Sequence, residues 1–241
     1  GISQGAALRV VTERTKMAMP ETAIGLFPDV GGGYFLSRSP GRVGEWLALT
    51  GDTIGAGDAI ENLLADGCLP SEQQAAVWEA LGSQPFADGP AVQAFVASKL
   101  IAASAHHTSA RAQIDQYFSL PTVGGIVTAL EAADTDWART TAATLRKRSP
   151  LMLHVVLEQI RRARTMGLAE DLRMERDMVR HCFYLRPGQS ETVEGIRALA
   201  VDKDHAPQWN PARIEDVTPE MVAPFFASPW PAHAHPLAHL A

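Results

Sequence analysis

The chain has 241 residues, 46% of them hydrophobic and 20% charged, the ordinary range for a globular protein of one large or two small domains that can bury a real core. Its formal net charge of −6 excludes a general electrostatic attraction to nucleic acid or to an anionic membrane, so an anionic ligand would need a local cluster of basic groups. Cys68 and Cys182 are the two cysteines; far apart and outside any metal or redox spacing, they read as core thiols rather than a disulfide framework. No run approaches the roughly 18 apolar residues of a membrane span, and the first residues carry no signal-peptide pattern, so a cytoplasmic location is expected.

Along the chain, Leu8-Arg9-Val10-Val11 and Lys16-Met17-Ala18-Met19 read as two short strands around the polar Thr12-Glu13-Arg14-Thr15. An irregular apolar stretch follows, and then Asp29-Val30-Gly31-Gly32-Gly33, where glycine density means backbone passing something closely. Beyond it, helical patterns dominate over residues 33–39, 43–50, 57–66, 71–81, 90–105, 111–119, 122–133, 137–148, 151–166, 169–184 and 192–201. Ser71 with Gln74 three residues on predicts a capping box. Arg146-Lys147-Arg148 before Pro150 reads as a helix C-terminus complementing the macrodipole. After Ser228 the prolines and His233, His235 and His239 read as a flexible, incidentally polar end.

Glu21 and Asp29 bracket the apolar residues 22–28. A carboxylate in such surroundings has its pKa raised and can serve as acid, base or nucleophile near neutral pH, the more so with a second carboxylate nearby. The glycine turn would let a substrate lie against backbone, and a helix starting near Gly33 would offer it free N–H groups. A plainer alternative makes Asp29 a helix cap and Glu21 a solvated loop charge.

The segment Met17-Ala18-Met19-Pro20-Glu21-Thr22-Ala23-Ile24-Gly25-Leu26-Phe27-Pro28-Asp29-Val30-Gly31-Gly32-Gly33 resembles the signature of the 3-hydroxyisobutyryl-CoA hydrolases, a branch of the crotonase superfamily. Tyr34 to Arg38, Leu47 to Gly51, Glu194 to Ala198, Asp202-Lys203-Asp204 and Pro207-Gln208-Trp209 extend the likeness to about Phe225. The resemblance implies an α/β fold, the crotonase-like ββα spiral. This chain would hold the last strands of the spiral, with the catalytic carboxylates, in residues 1–70. A helical region would follow over 71–228 and a flexible tail over 229–241.

Enoyl-CoA hydratases share the Pro-Glu pair and the glycine turn, but their second catalytic glutamate, twenty residues earlier, falls on Gly1, and they carry a small residue where Asp29 stands. Both departures point to hydrolysis of a short 3-hydroxyacyl-CoA thioester, as in valine catabolism. On that resemblance Glu21 either attacks the carbonyl or serves as general base for water, and Asp29 orients the β-hydroxyl or handles the proton for the leaving thiolate. Gly1 matches the end of an oxyanion-hole glycine run whose donors are expected upstream of it. Gly31 and Gly32 would approach the substrate, Leu26 and Phe27 would line the acyl pocket or pack in the core, and Lys203 would meet the CoA phosphates or stand solvated. No metal or cofactor is implied, CoA entering as part of the substrate, and a homo-oligomer is compatible with the resemblance. Competing readings are a hydratase or isomerase and a non-catalytic fragment.

Overall fold

A computed structural model describes residues 1–106 and 110–240. Its elements in chain order are β1 (Val10–Val11), α1 (Gly32–Ser37), α2 (Val43–Thr50), α3 (Ala56–Glu61), β2 (Gly67–Cys68), α4 (Gln74–Ser83), α5 (Gly89–Ala97), α6 (Arg111–Phe118), α7 (Val123–Glu131), α8 (Asp136–Lys147), α9 (Pro150–Ala163), α10 (Leu168–Tyr184), α11 (Glu191–Ile196) and α12 (Pro219–Val222), with a π-helical turn Arg197–Val201 continuing α11. The chain folds as two compact units, each discontinuous in sequence: residues 1–18 with 53–111, and residues 19–52 with 112–241. The sequence-level division at residue 70 separates neither, because the Glu21–Asp29 segment belongs to the helical unit.

In the smaller unit β1 and β2 pair in parallel, Val10 opposite Gly67 and Val11 opposite Cys68. Ile101 adds an antiparallel bridge to Cys68, and Met17 pairs with Ile54 in another. The expected strand over residues 16–19 is therefore a single bridge, while β2, two residues long, is too short to leave a period-2 pattern. Arg9 fixes the edge by forking onto Asp66 at 2.6 and 3.1 Å. The capping box predicted at Ser71 does not form: Ser71 bonds through both its N–H and its hydroxyl to Glu13, and α4 begins behind a 3₁₀ turn instead. Helix α5 stops at Ala97, shorter than the expected 90–105, because the chain must turn to reach the Ile101 bridge.

The larger unit is built around α9. Leu151, Leu153, Val155, Val156, Ile160 and Ala163 are all fully buried, the mark of a helix covered on most sides. Ser149 caps it, accepting from Met152 N at 3.2 Å, with Pro150 at the first helical position. Thr122, Thr135 and Ser190 cap α7, α8 and α11 in the same way. Helix α2 packs on α9, and its buried Glu45 is answered by Arg42 at 2.9 Å and Arg164 at 2.6 Å, which offsets the cost of removing that charge from water. Arg146 and Lys147 do close α8, and Arg148 goes further, donating from two nitrogens to the Thr50 carbonyl that ends α2. Residues 229–240, expected as a flexible end, lie against α10: Arg176 and Arg180 stack over Trp230, and His235 is buried 3.2 Å from Asp177. Both cysteines are free and buried. Among the described residues no helix is long and apolar enough to cross a membrane.

Candidate active site

Glu21 opens a 3₁₀ turn, Glu21–Ile24, that ends at Gly25 with φ +67°. Only glycine fits there, since that φ is left-handed and a Cβ would run into the Glu191 carbonyl. Gly195 lets Ile24 approach just as closely, so the turn lies backbone to backbone on α11. Thr192 Oγ1 donates to the Gly25 carbonyl at 2.6 Å, Thr22 Oγ1 donates to Leu49 O at 3.1 Å, and Ser149 N donates to Thr22 O at 3.2 Å. The turn is thereby tied to α11, α2 and the start of α9. Its first side chain is half-buried, and Glu21 Oε2 is screened from solvent without a hydrogen-bond partner among the described residues. Burial pushes the Glu21 carboxyl up to about 7; its own N–H pulls the other way and the nearby Asp29 charge adds to the rise. The sequence expectation of a desolvated acid with a second carboxylate beside it describes this arrangement.

Asp29 begins a tight turn. Val30 (φ +57°) and Gly31 (φ +80°) are both left-handed, and Gly32 N donates to Asp29 O at 3.0 Å, the pattern of a type I′ turn. Valine in that region is a strained choice. What holds it comes from α9 and α10. Gln159 Nε2 donates to Pro28 O at 2.8 Å; Glu175 accepts from Gly31 N at 2.8 Å and Gly33 N at 3.1 Å; Asp171 accepts from Tyr34 N at 3.0 Å. Burial pushes both of these carboxyls up, and the two interact directly. Space dictates the glycine as well, because a Cβ on Gly33 would stand 2.5 Å from Asp171 Oδ1.

The free helix N–H groups expected to meet a substrate are thus already engaged by Glu175 and Asp171. Gly31 and Gly32 are buried, and what forbids a Cβ at them is protein: Phe35 at Gly31, Pro28 and Met19 at Gly32. Phe27 is fully buried, so it packs in the core, whereas Leu26 keeps partial exposure. Gly1 belongs to the smaller unit. Lys203 is exposed, with φ +57°, between Asp202 and Asp204, both of which pair with Arg197. Gln159, Asp171 and Glu175 escape a reading of the 21–33 segment because they lie more than a hundred residues away. A signal existed on α10 all the same: its buried positions are 171, 174, 175, 177, 178 and 182, and three of them are acidic.

A family model described as enoyl-CoA hydratase/isomerase matches residues 1–226. A 3-hydroxyisobutyryl-CoA hydrolase 1 from Arabidopsis thaliana is 38% identical over 240 residues, covering 94% of this chain and 61% of that protein. Among solved structures, a carnitinyl-CoA dehydratase from Mycobacterium thermoresistibile aligns with a TM-score of 0.81 at 37% identity, covering 94% of this chain and 63% of that one. An enoyl-CoA hydratase from Rhodobacter sphaeroides 2.4.1 aligns at 0.79 with 37% identity, covering 92% and 62%. The chain therefore spans about 61% of the length of the curated relative.

Proposed function

The chain belongs to the enoyl-CoA hydratase/isomerase family, and from that premise we propose that the protein hydrolyses a short 3-hydroxyacyl-CoA thioester to the free acid and CoA. The observation that carries this reading is the Glu21 carboxyl, half-buried and pushed up to about 7 beside Asp29. A group poised there is half-ionised near neutral pH, where a general base works best. Glu21 takes a proton from water as the water oxygen bonds to the thioester carbon; the C–S bond then breaks and the departing thiolate takes up that proton from Glu21, which returns to its carboxylate. Asp29 holds the β-hydroxyl of the acyl group. The relatives named as 3-hydroxyisobutyryl-CoA hydrolases support that substrate class.

Lys203 is exposed between Asp202 and Asp204, and the family likeness of that segment supports its meeting the CoA phosphates. A Lys203→Ala variant should raise KM for the thioester severalfold and leave kcat unchanged. The alternative reading is hydration, the activity in the name of the Rhodobacter structure the chain resembles. Presenting a panel of short branched 3-hydroxyacyl-CoA thioesters alongside crotonyl-CoA separates the two: thiol release from the former supports hydrolysis, and water addition to the latter without thiol release overturns it.

A further inference from the structure

The bonds beneath the glycine turn join one end of the molecule's chemistry to a helix about 140 residues later in sequence. Glu175 uses both oxygens, Oε2 on Gly31 N and Oε1 on Gly33 N, so it acts there as a carboxylate. Asp171 uses Oδ2 on Tyr34 N, while its Oδ1 is buried and has no donor among the surrounding groups. The two carboxyls interact directly, and the other charged group felt by the pair is Arg38. Because both Glu175 oxygens already accept from glycine amides while Asp171 Oδ1 is buried without a donor, the geometry places the pair's shared proton on Asp171 Oδ1, toward Glu175, which removes the repulsion of two buried like charges. The pair then presents one negative charge to three backbone N–H groups, flanking a turn in which Val30 is strained.

We propose that Asp171 and Glu175, with Gln159, are positioning residues for Asp29: they clamp the Pro28–Tyr34 backbone so that the strained turn keeps the Asp29 carboxylate beside Glu21. Gln159 fixes the carbonyl just before Asp29, and Glu175 fixes the amides two and four residues after it. A left-handed valine persists only where its surroundings over-determine it, and here those surroundings are the three polar side chains of α9 and α10. The catalytic part of this claim rests on the hydrolytic reading; the structural part does not.

The pair is asymmetric, which gives the test its direction. In Asp171→Asn the amide oxygen can accept from Tyr34 N and the amide nitrogen can donate to Glu175, as the protonated acid does. In Glu175→Gln one of the two glycine amides must face an NH2 group. In the full protein we expect Asp171→Asn to keep kcat for thioester hydrolysis within about threefold, and Glu175→Gln to lower kcat at least about tenfold with KM within twofold, the size of loss that misplacing one group produces. In a Glu175→Gln/Asp29→Asn double variant the Glu175 change should add nothing to the loss caused by Asp29→Asn. Independently of activity, NMR of the Gly31 and Gly33 amides should show both moving upfield in Glu175→Gln and unmoved in Asp171→Asn, and the Glu21 carboxyl should titrate lower in Glu175→Gln as Asp29 swings away. Full additivity in the double variant, or a Glu21 titration unchanged in a folded Glu175→Gln protein, overturns the proposal. If Glu175→Gln does not fold, a folded Asp171→Asn protein with displaced glycine amides overturns it equally. A wild-type protein that releases no CoA contradicts the hydrolytic reading alone, since the amide and carboxyl measurements still decide the clamp.

Discussion

Glu21 shows how burial and chemistry oppose each other at one residue. Its Oε2 lies in a solvent-free position with no donor, a deficit that a folded protein tolerates where the group has work to do. The rate of hydrolysis should follow its ionised fraction: kcat/KM rises with pH and has its midpoint near 7, the value to which burial pushes the carboxyl. A pH–rate profile with a lone ascending limb near the ordinary glutamate value would assign the base elsewhere. At Val30 the cost is backbone strain with no compensating packing, because the side chain is 55% exposed. Asparagine tolerates the left-handed region without the entropy cost of glycine, so Val30→Asn should stabilise the protein by about 1 kcal/mol, read as a raised urea midpoint at unchanged m.

At the scale of elements, the helices of the larger unit were legible because they carry a 3.6-residue apolar period and several begin with a side-chain cap. Observed bounds such as Val43–Thr50 and Leu168–Tyr184 fall within a residue or two of the pattern. The burial of Glu21 with the Asp29 charge near it was legible from the apolar segment between them. What supports them was not, since the carboxylates and amide that hold the turn come from α9 and α10, and single-sequence periodicity says nothing of which helix faces which loop. The Ser71 cap failed for a related reason: Glu13, distant in sequence, takes both of its hydrogen-bonding groups. The contact of the Glu21 turn with α11 also depends on tertiary approach. Gly25→Ala places a methyl group on the Glu191 carbonyl and forces a left-handed alanine, which should destabilise by roughly 2–4 kcal/mol in chemical denaturation.

For the molecule as a whole, the raised carboxyls set a pH trend in stability, opposed by His154, whose pKa burial lowers and whose contribution runs the other way. Glu21, Asp171, Glu175 and Glu191 are all pushed up, with burial the leading cause in each. A carboxyl whose folded pKa exceeds its unfolded one keeps its proton longer in the native state, so between those two values the native chain binds more protons. Stability is then greatest on the acid side of the window and falls as pH rises through it. For Glu21 the window runs from 4.5 to about 7, and its contribution, discounted for the water that still reaches the group, is on the order of 1–2 kcal/mol. Unfolding at pH 5.5 and pH 8 should show the decline, and Glu21→Gln should be more stable than wild type at the higher pH. A stability that climbs across the same window would mean the carboxyls are paired more favourably than their burial implies.

That same variant also bears on catalysis. The most direct measurement is kcat for CoA release by Glu21→Gln, with circular dichroism confirming that it folds. The hydrolytic account predicts a loss of at least about a hundredfold, the contribution of a positioned general base, in a protein no less stable than wild type. Turnover close to wild type by the folded variant would contradict it.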